Sequence, residues 1–202
     1  MKKTKFFLPV ILLIMSSCIP IVKWKYGITN PKEETPSSLL KFLKKMDQPP
    51  KDFYIFRDST AYCRYLNDPV FKKNLIGSLF FSEEGLLLDV KDTAKCQWSV
   101  SSFIQNLEQS GSFRFDSACR YQEILPFLLP LTGLYDTASQ EAVYDYTVII
   151  TWAKFAGKLN QRLFDAADLV KDIKYKSVRL IFINIDMQKS WVLRKDQKMI
   201  LQ

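Results

Sequence analysis

The 202-residue sequence contains no histidine and only six glycines. Without histidine the chain cannot form a Ser-His-Asp triad, a Cys-His nucleophile pair or a histidine metal site. Its four cysteines include no C-x-x-C pair, so a zinc cluster made of cysteines is not supported either. The few glycines form no loop that would cradle a phosphate. These absences remove most metal, phosphate and nucleophile chemistry, and we expect no cofactor.

Long apolar stretches are also scarce beyond the first residues of the chain. The longest of them, 124–134, is short and is interrupted by Pro126 and Pro130. The overall composition, 48% apolar and 25% charged, is typical of a globular protein rather than of a disordered one. A chain of this length suits one domain, or two small ones. We therefore predict a folded body without a permanent transmembrane helix.

The N-terminus has the pattern of a secretory signal. Lys2, Lys3 and Lys5 precede an apolar run at 6–15, and small residues follow that run. Ten apolar residues make about 15 Å of helix, roughly half of what the core of a bilayer requires. The run is therefore too short to predict a transmembrane anchor, and residues 1–17 are predicted to be a signal peptide.

The end of this run, Met15-Ser16-Ser17-Cys18, resembles the lipobox of bacterial lipoproteins. Met15 stands where that family usually has leucine, and both residues are apolar and of similar size. The resemblance implies that residues 1–17 are removed and that Cys18 receives a diacylglycerol thioether and an N-terminal acyl chain such as palmitate. Several acyl chains hold a domain on a membrane at about 0.8 kcal/mol per buried CH₂. The alternative is an ordinary signal peptide with a chance cysteine, or an uncleaved anchor.

The residues after Cys18 bear on location and partners. In lipoproteins an aspartate directly after the acylated cysteine resembles an inner-membrane retention signal, and here Ile19 stands at that position. No acidic export tag follows either, so the resemblance implies the periplasmic face of the outer membrane. Removing the three lysines of the signal peptide from 29 basic residues leaves a modest excess over 21 acidic ones, so nucleic-acid binding is not supported. Lys23 and Lys25 either contact anionic headgroups or belong to a solvated tether. The predicted partners are the membrane, through the lipid on Cys18, and an unidentified envelope protein.

The mature chain divides into a tether at 18–37, which prolines and a glycine interrupt, and a folded domain at 38–202. The segment 109–144 is predicted to be a Pro-kinked helical stretch packed on the core, or else a partner-binding patch. Before that segment, apolar periodicity and capping residues predict a helix at 38–46, a strand at 53–57 and a helix that Asp58 or Ser59 caps and that ends at 66. They then predict a hairpin of two strands, 75–81 and 86–90, that turns at Gly85, and a helix at 99–108.

The pattern is firmest in the last third of the chain. Two apolar segments, 146–152 and 177–186, are predicted to be strands joined by a helix that Asn160 caps and that ends near Lys174. Two buried strands joined by a helix of this length predict a βαβ unit whose parallel strands are covered on both faces. Residues 187–202 are predicted to be peripheral.

At the end of the first of these strands, the sequence WAKFAGKL at 152–159 resembles the W-A-x-W-C-G-P-C motif of thioredoxin-like proteins. Trp152, Ala153 and Gly157 match directly, and Phe155 takes the place of the second tryptophan. The next strand ends at Asp186, as the corresponding strand of the family often ends in aspartate. The resemblance implies an α/β fold: a thioredoxin-like three-layer sandwich whose mixed sheet contains the parallel βαβ unit and a β-hairpin.

The predicted hairpin and the helix after it resemble the closing β-β-α element of the same family. In this sequence they precede the βαβ unit, whereas in the family they follow it. Either the element order is rearranged within one domain, or the chain contains two separate thioredoxin-like halves at 38–110 and 140–190. The sequence leaves both arrangements open.

The residues that perform the family's chemistry are missing. Ala156 and Leu159 occupy the two cysteine positions, and Lys158 occupies the proline position. Dithiol exchange needs an attacking thiolate and a resolving thiol within reach of one another, and these side chains contain no sulfur. The family's cis-proline before the hairpin strand is absent too, since Ile76-Gly77-Ser78 stands there. A fold without the usual redox activity is therefore predicted from the degenerate motif positions Trp152, Phe155, Ala156, Gly157 and Leu159.

Three cysteines remain if Cys18 is acylated, which is an odd number for an exported protein. Cys63 lies on a predicted short helix and is expected to be buried. Cys96 follows Lys95, and a neighbouring cation lowers the pKa of a thiol, so Cys96 is the candidate reactive thiol. A disulfide, if one forms, is expected between Cys96 and Cys119.

The acidic residues form no persuasive catalytic pair. Asp165, Asp168 and Asp172 share one face of a predicted helix, where solvation is the common explanation, so a two-carboxylate hydrolase is not favoured. The sequence thus favours a membrane-anchored envelope lipoprotein that lacks catalytic and metal-binding residues and whose thioredoxin-like domain binds a protein partner. The alternatives are an envelope thiol/disulfide oxidoreductase that uses Cys96, and an ordinary structural lipoprotein.

Overall fold

The fold is that of a computed structural model, which describes residues 23–73, 75–89, 100–108, 113–134, 143–174 and 176–191. The predicted signal peptide, the predicted lipidation site Cys18 and the candidate thiol Cys96 lie outside the described residues. Within the described ranges, no helix combines the length and the apolar character that crossing a bilayer requires.

The secondary structure follows the predicted order over most of the chain. The helices are α1 (Pro36–Lys45), α2 (Ser59–Asn67), α3 (Pro69–Lys73), α4 (Val100–Glu108) and α5 (Leu159–Lys171). The strands are β1 (Phe53–Phe56), β2 (Gly77–Ser82), β3 (Leu86–Asp89), β4 (Arg114–Arg120), β5 (Leu128–Pro130), β6 (Tyr146–Trp152) and β7 (Val178–Asn184). Three 3₁₀ turns cover Tyr121–Glu123, Leu125–Phe127 and Lys154–Ala156.

Local side chains explain where the first two helices begin. Thr35 and Ser38 bond reciprocally, each hydroxyl accepting from the backbone N–H of the other, which is a capping box that starts α1. Asp58 caps α2, as predicted, by accepting from the Ala61 amide at 2.8 Å. Gly85, with φ of +80°, allows the tight turn between β2 and β3.

These strands form one mixed sheet in the spatial order β4-β3-β2-β6-β7-β1-β5. Its centre is parallel, because β6 pairs with β7 and β1 pairs with the other side of β7 in the same direction. The hairpin β2–β3 joins β6 on the side away from β7 and runs antiparallel to it. The α/β class, the parallel βαβ unit and the hairpin are therefore confirmed.

Helices cover both faces of the sheet, and each face has its own core. Alternate residues of a strand point to opposite faces, so Val148 and Ile150 of β6 pack with α1, α4 and α5. Ile149 of β6 and Ile181 of β7 pack on the other side, with α2, α3 and the 3₁₀ turns after β4. A parallel sheet needs this double cover, because its strands are apolar on both faces.

The prediction that the segment 109–144 is a Pro-kinked helical stretch is wrong for the described part of that segment. This part contains β4, two 3₁₀ turns and β5. Pro126 lies in the first turn of its 3₁₀ segment, and Pro130 ends β5 at the edge of the sheet, where a missing N–H is tolerated. The prolines thus separate short elements instead of kinking one long helix.

Candidate functional site

The loop at 152–159, which we call the motif loop, leaves the centre of the sheet at the carboxyl end of β6. A 3₁₀ turn at Lys154–Ala156 follows the strand, and α5 begins at Leu159. The carboxyl ends of β7 and β1 lie on the same edge, because the three strands are parallel neighbours. In open α/β sheets ligands commonly bind at this edge, so a functional site is expected here.

The motif positions lie in different environments. Trp152 is fully buried, and its ring stacks on Phe42 with centroids 5.9 Å apart. Ala156 is also buried, while Phe155 and Leu159 are half-buried against the core beneath α2. Ala156, which the sequence resemblance aligns with the first motif cysteine, is therefore an apolar residue with almost no contact with solvent.

Asn160 fixes the shape of the motif loop. Its side-chain oxygen accepts from the Ala153 N–H at 3.3 Å, and its amide nitrogen donates to the carbonyl oxygens of Ala153 at 2.8 Å and Gly157 at 3.1 Å. The prediction that Asn160 caps the helix is wrong, because Lys158 precedes α5 and makes no side-chain capping bond. Asn160 is instead fully buried in the first turn of α5, where it holds the loop closed.

A buried carboxylate, Asp186, lies beneath the loop. One of its oxygens accepts from the Lys154 N–H at 2.6 Å and from the side-chain amide of Asn184 at 2.8 Å. Burial raises the pKa of Asp186 above its ordinary value, and the negative charge of Glu34 adds to the rise, although the N–H donors of Lys154 and Phe155 and the amide of Asn184 oppose it. Asp186 therefore supports the loop from inside the protein.

Two amide side chains and a tyrosine complete this polar cluster. The Gln188 amide donates to the carbonyl oxygen of Asp186 at 2.8 Å, and Asn184 Oδ1 accepts from the Asp186 N–H at 3.1 Å. The Tyr62 hydroxyl donates to the Ile185 carbonyl at 3.0 Å, and burial, with smaller contributions from Asp186 and Cys63, raises the pKa of Tyr62 to about 12. Among the described residues, no group of three acidic or cysteine side chains could hold a metal ion.

The chain's own N-terminal segment covers the motif loop. The Lys158 N–H donates to the Tyr26 carbonyl at 2.7 Å, and the Thr29 N–H donates to the Phe155 carbonyl at 2.9 Å. Gly157 has φ of +58°, and a Cβ at this position would collide with the carbonyl groups of Tyr26 and Gly27. Residues 26–29, which we call the covering segment, belong to the predicted tether but lie against the domain.

An ion pair fixes the chain just after the covering segment. The Glu34 carboxylate binds Lys154 Nζ at 2.7 Å and accepts from the Ser38 hydroxyl. Burial alone would raise the pKa of Glu34, but the bonds from Lys154 and Ser38 outweigh it and hold the pKa below its ordinary value. The Glu34 N–H also donates to Met187, and its carbonyl accepts from the Lys189 N–H. This residue therefore joins the N-terminal segment to two loops at once.

The other predicted site residues are dispersed. Cys63 on α2 is buried, as expected. Cys119 lies on β4, but its side chain is outside the described part, as is Cys96, so their pairing and the reactivity of Cys96 stay predictions. The acidic residues of α5 are exposed, and Asp165 accepts from Gln161 at 2.7 Å.

A concave surface lies on the α2 side of the sheet, between α2 and the 3₁₀ turns at Tyr121–Glu123 and Leu125–Phe127. The guanidinium groups of Arg57 and Arg64 lie 5.4 and 4.8 Å from the ring centroid of Phe127. The groove beside Arg64, which we call the arginine groove, is also lined by Arg120 and Glu123. Arginine and aromatic residues are enriched where proteins bind one another.

The motif loop is visible in the sequence, but the polar cluster and the arginine groove are not among the predicted sites. A signal for the cluster exists, because the polar residues Asn184, Asp186 and Gln188 occupy every second position at the end of an apolar strand and just beyond it. Polar residues at every second position of an extended chain point to the same side. No comparable signal marks the groove, since its arginines come from α2 and β4, which are far apart in the sequence.

Comparison of the chain with protein-family models, curated proteins and solved structures finds no match. The fold and the site therefore define the class of protein by themselves. It is an α/β protein with an open mixed sheet, whose central loop is covered by its own N-terminal segment.

Proposed function

We propose that the protein is a bacterial envelope lipoprotein, held on the membrane through Cys18, whose non-catalytic thioredoxin-like domain binds another envelope protein. The observation that carries the proposal is the closed motif loop. Ala156 stands at a cysteine position and is buried, and residues 26–29 cover the loop. Dithiol exchange needs a sulfur that its substrate can reach, and this loop offers neither sulfur nor access.

The pairing of the strands supports the thioredoxin-like interpretation. The strand that carries the motif, β6, lies between the parallel β7 and the antiparallel hairpin strand β2. The βαβ unit and the hairpin thus share one sheet, although the hairpin comes first in the chain. The helix after the hairpin, α4, packs in the same core as α5. This is the arrangement expected if the element order is rearranged within one domain.

The arginine groove is the surface that we assign to the protein partner. It offers cations at Arg64 and Arg120, anions at Asp68 and Glu123, and the aromatic ring of Phe127. Groups of both signs beside an aromatic ring suit a polypeptide, which carries both signs itself, better than a polyanion such as nucleic acid.

The anchor is tested by the intact mass of the protein isolated from membranes. We expect a chain that begins at Cys18 and carries a diacylglycerol and one further acyl chain, and we expect Cys18→Ser to abolish both cleavage and acylation. A wild-type chain that keeps residues 1–17, or that begins elsewhere without lipid, would contradict the anchor.

The absence of thiol chemistry is tested by timed alkylation of the natively folded protein. We expect no thiol that reacts rapidly near neutral pH, because the motif loop has no sulfur. A single fast thiol that Cys96→Ser removes would instead support the envelope oxidoreductase, the alternative function.

The binding surface is tested by a photo-crosslinking amino acid placed at Glu123, which is exposed beside the arginine groove. We expect a discrete protein adduct in cells, and we expect Arg64→Glu with Arg120→Glu to abolish it. Leu169 on α5 is exposed on the opposite face and is the control position, from which that adduct should not form. The same adduct from both positions, or one that survives the charge reversal, would contradict the assignment.

A further inference from the structure

We infer that the surface around Trp24 rests on the membrane, against anionic lipid headgroups; this inference builds on the anchor proposed at Cys18. Trp24 is 86% exposed, more than any other large apolar side chain of the described residues. Lys23 and Lys25, on either side of it, are exposed as well. Tryptophan and lysine are residues that proteins place at the headgroup level of a bilayer.

Tyr26 fixes this exposed tip to the domain. The Arg162 guanidinium lies 4.9 Å from the centroid of the Tyr26 ring, and Lys25 Nζ lies 5.5 Å from it. The Tyr26 carbonyl also accepts from the Lys158 N–H at 2.7 Å. Because Tyr26 is held from two sides, Trp24 projects from a defined place on the domain, beside the N-terminal end of α5.

A largely apolar, open groove lies beside Tyr26, between α1 and the start of α5. Phe42 and Met46 line it, and so do Lys158 and Arg162. Lys45 on α1 is exposed and lies three residues after Phe42, next to the rim of this groove. The nearest acidic residues in the sequence are Asp47, directly after Met46, and Asp165, three residues after Arg162. The surface, which we call the basic face, carries the cations Lys23, Lys25, Lys158 and Arg162.

The length of chain before the basic face argues for a membrane as its occupant. Four residues separate Cys18 from Lys23, so even a fully extended chain spans only about 18 Å between the two. An acylated Cys18 lies at the headgroup level, so Lys23 stays within about two Debye lengths of the membrane surface. Each basic residue near an anionic surface favours the docked state by roughly five-fold. The short connection leaves little room for a partner protein between this face and the bilayer.

The position of Trp24 is tested with the full-length acylated protein in vesicles of phosphatidylcholine and phosphatidylglycerol. Brominated phosphatidylcholine quenches the fluorescence of tryptophan that enters the bilayer interface. We expect Trp24→Ala to remove most of this quenching, whereas Trp191→Phe, a control on the α2 side, leaves it unchanged. Equal quenching in the wild type and in Trp24→Ala would overturn the inference.

The role of charge is tested by a matched pair of double variants. Lys23→Glu with Lys25→Glu should lower the equilibrium constant for docking by at least about 25-fold and abolish most Trp24 quenching. Lys72→Glu with Lys174→Glu makes the same change in net charge at exposed sites outside the basic face, and it should keep the quenching. Equal loss in both double variants, or wild-type quenching that is the same without phosphatidylglycerol, would overturn the headgroup contact.

The mass of each preparation separates this inference from the proposed function. Acylated protein whose Trp24 is not quenched contradicts the basic face alone and leaves the anchor intact. Protein that lacks lipid on Cys18 contradicts the anchor and with it the inference. A photo-crosslinker at Trp24 that labels a protein instead of lipid would assign this face to a partner and overturn the inference.

Discussion

A single side chain, Asn160, holds the backbone of the motif loop in place. Its amide bonds both the N–H and the carbonyl of Ala153, and both residues are fully buried. Asn160→Ala leaves the Ala153 N–H without a partner, whereas the Ala153 carbonyl still accepts from the Ala156 N–H at 2.9 Å. An unpaired buried group costs about 1–3 kcal/mol. We expect the free energy of unfolding to fall by about 1–3 kcal/mol, measured by urea denaturation.

Two further variants separate the effect of the Asn160 hydrogen bonds on stability from the effect of the size of its side chain and of removing an amide nearby. Asn160→Asp keeps the shape but cannot donate to the Ala153 carbonyl, so it should also destabilise the fold. Gln161→Ala removes the neighbouring exposed amide and should change the free energy of unfolding by less than about 0.5 kcal/mol. Wild-type stability in Asn160→Asp would show that donation to Ala153 is unimportant.

Asp186 gives the stability a pH dependence opposite to that of an exposed, ion-paired carboxylate. Burial raises its pKa above the ordinary 3.8, so the folded state binds the proton more tightly than the unfolded chain. The stabilisation is therefore fully present below about pH 4 and is lost as the pH rises through the raised pKa. We expect the free energy of unfolding, relative to that of Asp186→Asn, to fall as the pH rises above 4.

Chemical denaturation at a series of pH values measures this difference. Asp165→Asn, which removes an exposed carboxylate of α5, controls for the change in net charge. If the free energy of unfolding of the wild type, relative to that of Asp186→Asn, instead rises with pH, the hydrogen-bond donors around Asp186 lower its pKa by more than burial raises it.

At the scale of elements, the sequence predicts the helices and strands that bury many apolar residues in a regular pattern. The strand 146–152 is predicted with its observed bounds, because it is apolar throughout and buried on both faces. The edge strand Arg114–Arg120 is missed, since its sequence, RFDSACR, lacks a regular apolar pattern. Edge strands need less apolar surface, and pairing with β3 decides their conformation more than intrinsic preference does.

The covering segment and the motif loop meet at Gly157. Its backbone, with φ of +58° and ψ of −128°, lies in a region that essentially only glycine adopts. Gly157→Ala adds both backbone strain and a collision with the Tyr26 and Gly27 carbonyls. We expect it to release the covering segment, which limited trypsin digestion detects as faster cleavage after Lys25.

Gly133→Ala is the matched control for this variant. Gly133 also has positive φ, +74°, but a Cβ there would meet nothing within 4 Å. We expect this control to lose only about 1–2 kcal/mol of unfolding free energy and to keep the wild-type cleavage rate after Lys25. Equal cleavage in Gly157→Ala and the wild type would mean that the covering segment does not depend on this contact.

At the scale of the whole molecule, the site is less predictable than the fold, because its parts come from distant places in the chain. Glu34 and Lys154 are 120 residues apart, and no local pattern connects them. The polar composition of residues 26–35 predicts a tether. In the structure this segment contacts the domain mostly through backbone hydrogen bonds, and composition does not reveal such bonds. The two proposed surfaces lie on opposite faces of the sheet: the basic face on the α1 side and the arginine groove on the α2 side.

The single sheet makes a prediction about cooperativity. The hairpin β2–β3 and the βαβ unit belong to the two candidate halves, 38–110 and 140–190, yet β2 pairs with β6 along six residues. Breaking that pairing would expose Phe80 and Val148 on one face and Leu79 and Ile149 on the other. We therefore expect hydrogen exchange under rising urea to give the backbone amides of β2 and of β6 one common opening free energy. Two separate values, with the hairpin opening before the βαβ unit, would instead mean that the halves fold independently.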